Sequence, residues 1–110
     1  IPRYYWARGD IAYSSHNEKN SVYSIATTKI EELKGDIKDI LKIDGVRINF
    51  NDESWVLIRA SGTEPKIRFY LEAKTKERFQ ELKDEVLGII KNSSETVNAR
   101  IMDIKINEGY

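Results

Sequence analysis

Ten consecutive residues carry the densest chemistry in the chain: Arg59-Ala60-Ser61-Gly62-Thr63-Glu64-Pro65-Lys66-Ile67-Arg68. Arg59 offers a planar fork that matches two phosphate oxygens at once, and Ser61 and Thr63 add hydroxyl donors. Gly62 accepts positive φ without steric cost, and Pro65 stiffens the exit, so successive backbone N–H groups can turn inward around an anion. The stretch has donors and cations but no histidine, cysteine or metal-ligand cluster, so it can hold a phosphate without making or breaking a bond. It reads as a phosphate clamp. The plain competing reading is a Ser-Gly-Thr turn between two strands.

The flanking elements must position this loop. Trp55-Val56-Leu57-Ile58 is a nearly continuous apolar run and predicts a central strand delivering Arg59. After the loop, Ile67, Phe69, Leu71 and Ala73 alternate with Arg68, Tyr70, Glu72 and Lys74, giving one buried and one wet face. Asp44-Gly45 predicts a hairpin turn between Ile40–Ile43 and Val46–Phe50. Val22, Ile25, Ala26, Ile30 and Leu33 predict a helix over Ser21–Lys34, capped by Asn20 or Ser21 and ended by Gly35. A second helix is predicted over Lys76–Lys91, with Thr75 as N-cap, a stripe of Phe79, Leu82, Val86, Ile89 and Ile90, and Arg78 among its exposed charges.

The ends are less patterned. Residues 1–20 read as an interdomain linker, with Ile11–Tyr13 as an edge strand and Ser14–Glu18, including the single His16, as a solvated loop. Residues 21–94 form the expected domain. Residues 95–110 form an uncertain tail in which Val97, Ile101, Ile104 and Ile106 suggest a final strand. At 110 residues and 40% hydrophobic content, one core is expected. Eighteen basic and eighteen acidic residues cancel, which argues against nucleic-acid or membrane partners. The absence of Cys excludes disulfides and thiol chemistry and fits a cytoplasmic protein. The start at Ile1-Pro2-Arg3, with the single methionine at Met102, suggests a piece of a longer chain.

Arg59-Ala60-Ser61-Gly62-Thr63-Glu64-Pro65 resembles the R-P-S-G-T-E-P loop in the C-terminal domain of the α-D-phosphohexomutases, with Ala60 in place of the commoner proline. The resemblance extends through Asp44-Gly45-Val46, Trp55-Val56-Leu57 and Lys66–Lys74. It implies an α+β fold: a mostly antiparallel four-stranded sheet with two helices packed on one face, TATA-binding-protein-like in shape alone. It further implies that Arg59, Ser61, Gly62 through its amide, and Thr63 contact the non-transferred phosphate of a hexose phosphate or hexose 1,6-bisphosphate. Glu64 and Lys66 would shape the rim and Arg68 would support it. The family's catalytic serine, its Mg²⁺ loop and its sugar-reading loop have no counterpart here. Ser14-Ser15-His16-Asn17 resembles the S-H-N-P serine motif only superficially. The implied partners are a sugar phosphate and upstream domains of the same chain, and the isolated segment is expected to be inactive. The alternatives are a stand-alone phosphate- or phosphopeptide-binding module and an aromatic nucleic-acid-binding α+β domain.

Overall fold

Alternation of apolar and polar residues produces one sheet with a dry face and a wet face. The structure, a computed structural model, describes residues 4–108. Six strands form the sheet: β1 (Tyr5–Tyr13), β2 (Ile37–Leu41), β3 (Val46–Phe50), β4 (Trp55–Ala60), β5 (Lys66–Ala73) and β6 (Ala99–Glu108). Their order is β2-β3-β4-β5-β1-β6, and every neighbouring pair is antiparallel. Helices α1 (His16–Lys29), continued by a short 3₁₀ turn at Ile30–Glu32, and α2 (Lys76–Ser93) pack on one face. The α+β class, antiparallel sheet and two helices match the expectation, but the sheet has six strands where four were expected.

The largest correction concerns the N-terminal segment. Ile11–Tyr13, expected as an edge strand, end a nine-residue strand that lies between β5 and β6. Ala7, Gly9, Ile11 and Tyr13 alternate inward in the burial pattern. Two of these inward residues are the small Ala7 and Gly9, which carry almost no hydropathy signal, so the period of two is hard to read from sequence. Pro2 and Arg3 of the expected linker, and Gly109 and Tyr110 of the expected tail, lie outside the described residues. The suspected final strand exists as β6, paired to β1 along its length.

Helix α1 also begins earlier than its apolar stripe suggests. Ser15, in the loop expected before the helix, is the N-cap: its side chain accepts the Glu18 N–H at 3.1 Å. His16 therefore opens a helix and is not part of a solvated loop. Ile25, expected on the buried stripe, is 45% exposed, while Val22, Ala26 and Ile30 are buried. Thr75 caps α2 as expected, accepting the Arg78 N–H. Phe79, Leu82, Val86 and Ile90 of α2 lie on Phe69, Leu71 and Ala73 of β5 and their neighbours in one core. Each buried Phe or Leu of this kind stabilises the fold by roughly 1.5–3 kcal/mol relative to exposure.

Arg78, expected to be solvated, has a side chain only 12% exposed. Its guanidinium lies 4.5 Å from the Phe50 ring centroid and its Nε bonds Asp52 at 3.1 Å. A Cβ at Gly35, which has φ +134°, would meet Arg78 Nη2 at 2.4 Å, so glycine there serves both the turn and the arginine. At the β2–β3 turn, Asp44 and Gly45 both have positive φ, as the hairpin signal predicts. Among the described residues no helix is long and apolar enough to cross a membrane.

Because β1 carries two hydrogen-bonded ladders, a chain starting at Ser14 should lose its cooperative thermal transition. Circular dichroism melting of residues 14–110 against the full chain checks this, and an intact cooperative melt would show that β1 is dispensable.

Candidate functional site

The inward positions of β4 and β5, Ile58, Ile67 and Phe69, are fully buried. Their neighbours Arg59 and Arg68 consequently face the side of the sheet that no helix covers, directly opposite one another in the β4–β5 ladder. Arg68 in turn stands opposite Asp10 of β1. Two adjacent guanidinium groups repel unless an anion lies between or beside them, and Asp10 compensates only one. It accepts from Arg68 Nε at 2.7 Å and from Nη2 at 3.2 Å, and lies 3.4 Å from Lys66 Nζ. Arg59 is exposed and has no carboxylate partner among the described residues.

The connecting loop is closed at its base by the Ser61 N–H to the Lys66 carbonyl, 3.0 Å, and is tied to β1 by the Tyr13 N–H to the Pro65 carbonyl, 2.7 Å. Ser61 Oγ accepts the amides of Thr63 at 3.3 Å and Glu64 at 3.2 Å. Both acceptor positions of that hydroxyl are therefore engaged, and its proton is left to donate outward. The Thr63 and Glu64 amides thus turn onto Ser61 Oγ. Glu64 pairs with Lys66 at 3.0 Å, so its charge is spent on the rim.

Arg59, Ser61, Glu64, Lys66 and Arg68 together line an open cleft of about 170 Å³. Gly62 and Thr63 are exposed residues on the loop crest, with Thr63 Oγ1 3.5 Å from Ser61 Oγ. Gly62 differs from expectation in one respect: its φ is not positive, and a Cβ there would meet nothing within 4 Å. Glycine at this position leaves the loop open to close approach; no left-handed backbone requires it. A second cleft of about 210 Å³, lined by Arg8, Gly9, Asp10, Arg68 and Tyr70, shares Arg68 with the first.

Two functional-looking residues escaped the sequence reading. Asp10 lies in the segment expected as a linker. Lys19 sits on the buried face of α1, where its Nζ donates to the Ser61 carbonyl at 2.7 Å. The stripe Val22, Ala26, Ile30, extended back one turn, lands on Lys19, and that signal was available.

Hydrogen bonding to Arg68 is the largest influence on Asp10, and it outweighs the opposing effect of burial to hold the carboxyl below its ordinary value of 3.8. The same bond raises Arg68, while Lys66 is raised chiefly by its bond to Glu64.

The phosphoglucomutase/phosphomannomutase C-terminal domain family matches residues 17–89. The chain belongs to that family. It is 54% identical over 67 residues to a probable phosphoglucosamine mutase of Methanosphaera stadtmanae, covering 61% of this chain and 15% of that protein. It is 43% identical over 82 residues to a phosphopentomutase of Thermococcus kodakarensis, covering 74% and 18% respectively. The chain thus spans less than a fifth of the length of these two relatives. Among solved structures, a phosphoglucomutase/phosphomannomutase family protein from Burkholderia thailandensis superposes with a TM-score of 0.56 at 18% identity. That match covers 84% of this chain and 19% of the other, and supports the fold alone. The family match begins at residue 17, after β1, although β1 is interior to the sheet.

A depressed carboxyl contributes stability that is complete above its unfolded value and fades as pH falls through its folded one. Asp10→Asn should therefore cost about 1 kcal/mol at pH 7. The deficit should shrink between pH 7 and an acid pH below the depressed folded-state value of Asp10, which lies under 3.8. Urea unfolding at the two pH values checks this, and an equal deficit at both would contradict the assigned ion pair.

Proposed function

We propose that this domain clamps the non-transferred phosphate of a sugar phosphate in a mutase that interconverts 1- and 6-phosphates, or the corresponding positions of a pentose. The observation that carries the reading is the juxtaposition of an uncompensated Arg59 with the doubly accepting Ser61 hydroxyl and the open Gly62, on a loop within the family-matched segment. Arg59 supplies two parallel donors, Ser61 and Thr63 supply hydroxyls, and the Gly62 amide completes the cradle. Lys66 and Arg68, already balanced by Glu64 and Asp10, steer and shape the site.

Such a cradle reads phosphate geometry and leaves the sugar ring unexamined. A bisphosphate intermediate that reverses its orientation could therefore present either end. Holding the spectator phosphate fixes the reacting hydroxyl, and positioning of this kind contributes several kcal/mol to a barrier when it sets the reacting geometry. The transferring group, the sugar-reading residues and the ligands of Mg²⁺ are assigned to the rest of the protein. The carboxylates beside the clamp, Asp10 and Glu64, are committed to cations, and no group of three metal-ligating side chains occurs among the described residues. The segment alone is proposed to be inactive, and the full protein cytoplasmic.

Titration of the labelled chain with glucose 6-phosphate should shift the amides of Ser61, Gly62 and Thr63, with a dissociation constant on the order of millimolar, roughly −4 kcal/mol. Unphosphorylated glucose should leave them unmoved. Arg59→Ala should abolish the shifts, and Gly62→Ala should weaken binding without lowering thermal stability, since its methyl meets no protein atom. Equal shifts with glucose, or none with the phosphate, would overturn the clamp.

A further inference from the structure

Lys19 is a cation in a place where helices normally put an aliphatic residue. Its residue exposure is 5%, and it shares the buried side of α1 with Val22 and Ala26. A buried ammonium is costly unless its donors are met and its charge is balanced. Its donors are partly met, by the Ser61 carbonyl at 2.7 Å and His16 Nδ1 at 3.2 Å. Both partners are formally neutral when the ring nitrogen accepts, and no carboxylate among the described residues forms an ion pair with Lys19. One turn along the helix, the Tyr23 hydroxyl donates to the Ile58 carbonyl at 3.4 Å. Thus α1 grips the end of β4 at two carbonyls, and the stronger grip is at the clamp.

The bond to Ser61 has a directional consequence. A trans peptide is planar, with its C=O and N–H pointing in opposite directions. Drawing the Ser61 carbonyl inward onto Lys19 turns the next N–H, that of Gly62, outward. Among the described residues that N–H meets no acceptor, and a Cβ beside it would meet nothing within 4 Å. The result is an unpaired amide aimed away from the body of the protein, with an unbalanced positive charge behind it.

We propose that Lys19 is a positioning residue of the clamp: it aims the Gly62 amide at the incoming phosphate and supplies a buried charge that the phosphate itself balances. This rests on the clamp reading above. It adds a residue from a different element, 42 positions before Ser61 in sequence, to the set that determines anion affinity. It also explains why a lysine occupies a core-facing helix position, where Met or Leu would pack at lower electrostatic cost.

The test is an amide-shift titration with inorganic phosphate at fixed ionic strength, on wild type, Lys19→Met, Lys19→Gln and Lys19→Arg. Wild type should saturate with Gly62 as a reporter. Lys19→Met keeps the stem and removes the charge, and should weaken phosphate on the order of tenfold and move the ligand-free Gly62 resonance. Lys19→Gln should do the same should the Met variant fail to fold. Lys19→Arg should bind within threefold of wild type. Neutral variants that bind within twofold of a binding wild type would overturn the inference and leave the clamp standing. An arginine variant as weak as the neutral ones would reduce Lys19 to packing and overturn it too. A wild type that binds no phosphate would overturn the clamp and this inference together.

Discussion

One-sided burial is the constraint on which the rest of the structure depends. The helices cover a single face of the sheet, so each strand must commit alternate residues to the core. Ile58, Ile67 and Phe69 go in, and by the same step Arg59 and Arg68 come out side by side. A slip of one residue in β4 or β5 would bury the guanidinium groups and expose the isoleucines. Arg59 and Arg68 are therefore held in register by the hydrophobic core on the opposite face of the sheet. Their mutual repulsion is left half-relieved by Asp10, which makes an anion welcome at Arg59.

Legibility in the sequence followed the strength of the local signal. The strands around the clamp were readable because branched and aromatic residues alternate cleanly with charges from Ile67 to Lys74. The second helix was readable from Thr75 and its apolar stripe, and the hairpin from Asp44-Gly45. The first strand was not, because two of its four inward residues are Ala7 and Gly9, which carry almost no hydropathy signal. The start of α1 was misjudged for a related reason: Lys19 occupies the first inward position of the helix, and a lysine there looks like solvent-facing sequence. Arg78 was likewise read as solvated, although its guanidinium stacks on Phe50 and bridges to Asp52.

The candidate site divides along the same line. Its contiguous part, Arg59 to Arg68, could be found as a motif. Asp10 and Lys19 reach it from 58 and 42 positions away in sequence, through pairings that exist only once the sheet and helix have docked. Gly62 illustrates a subtler limit. Backbone freedom is what the sequence suggests for it, whereas its φ is not positive and a Cβ there would meet nothing within 4 Å.

The interior placement of β1 also has a mechanical side. The strand is laddered on both flanks, to β5 and to β6, and the ladders run antiparallel along nearly its whole length. A force applied along β1 from its N-terminal end loads many hydrogen bonds at once in shear and cannot unzip them one by one. Asp10 and the Tyr13 amide transmit that load directly to Arg68 and Pro65, both at the exit of the loop. Strand β1 and the exit of the loop are thereby coupled mechanically, so neither can shift along the sheet without the other.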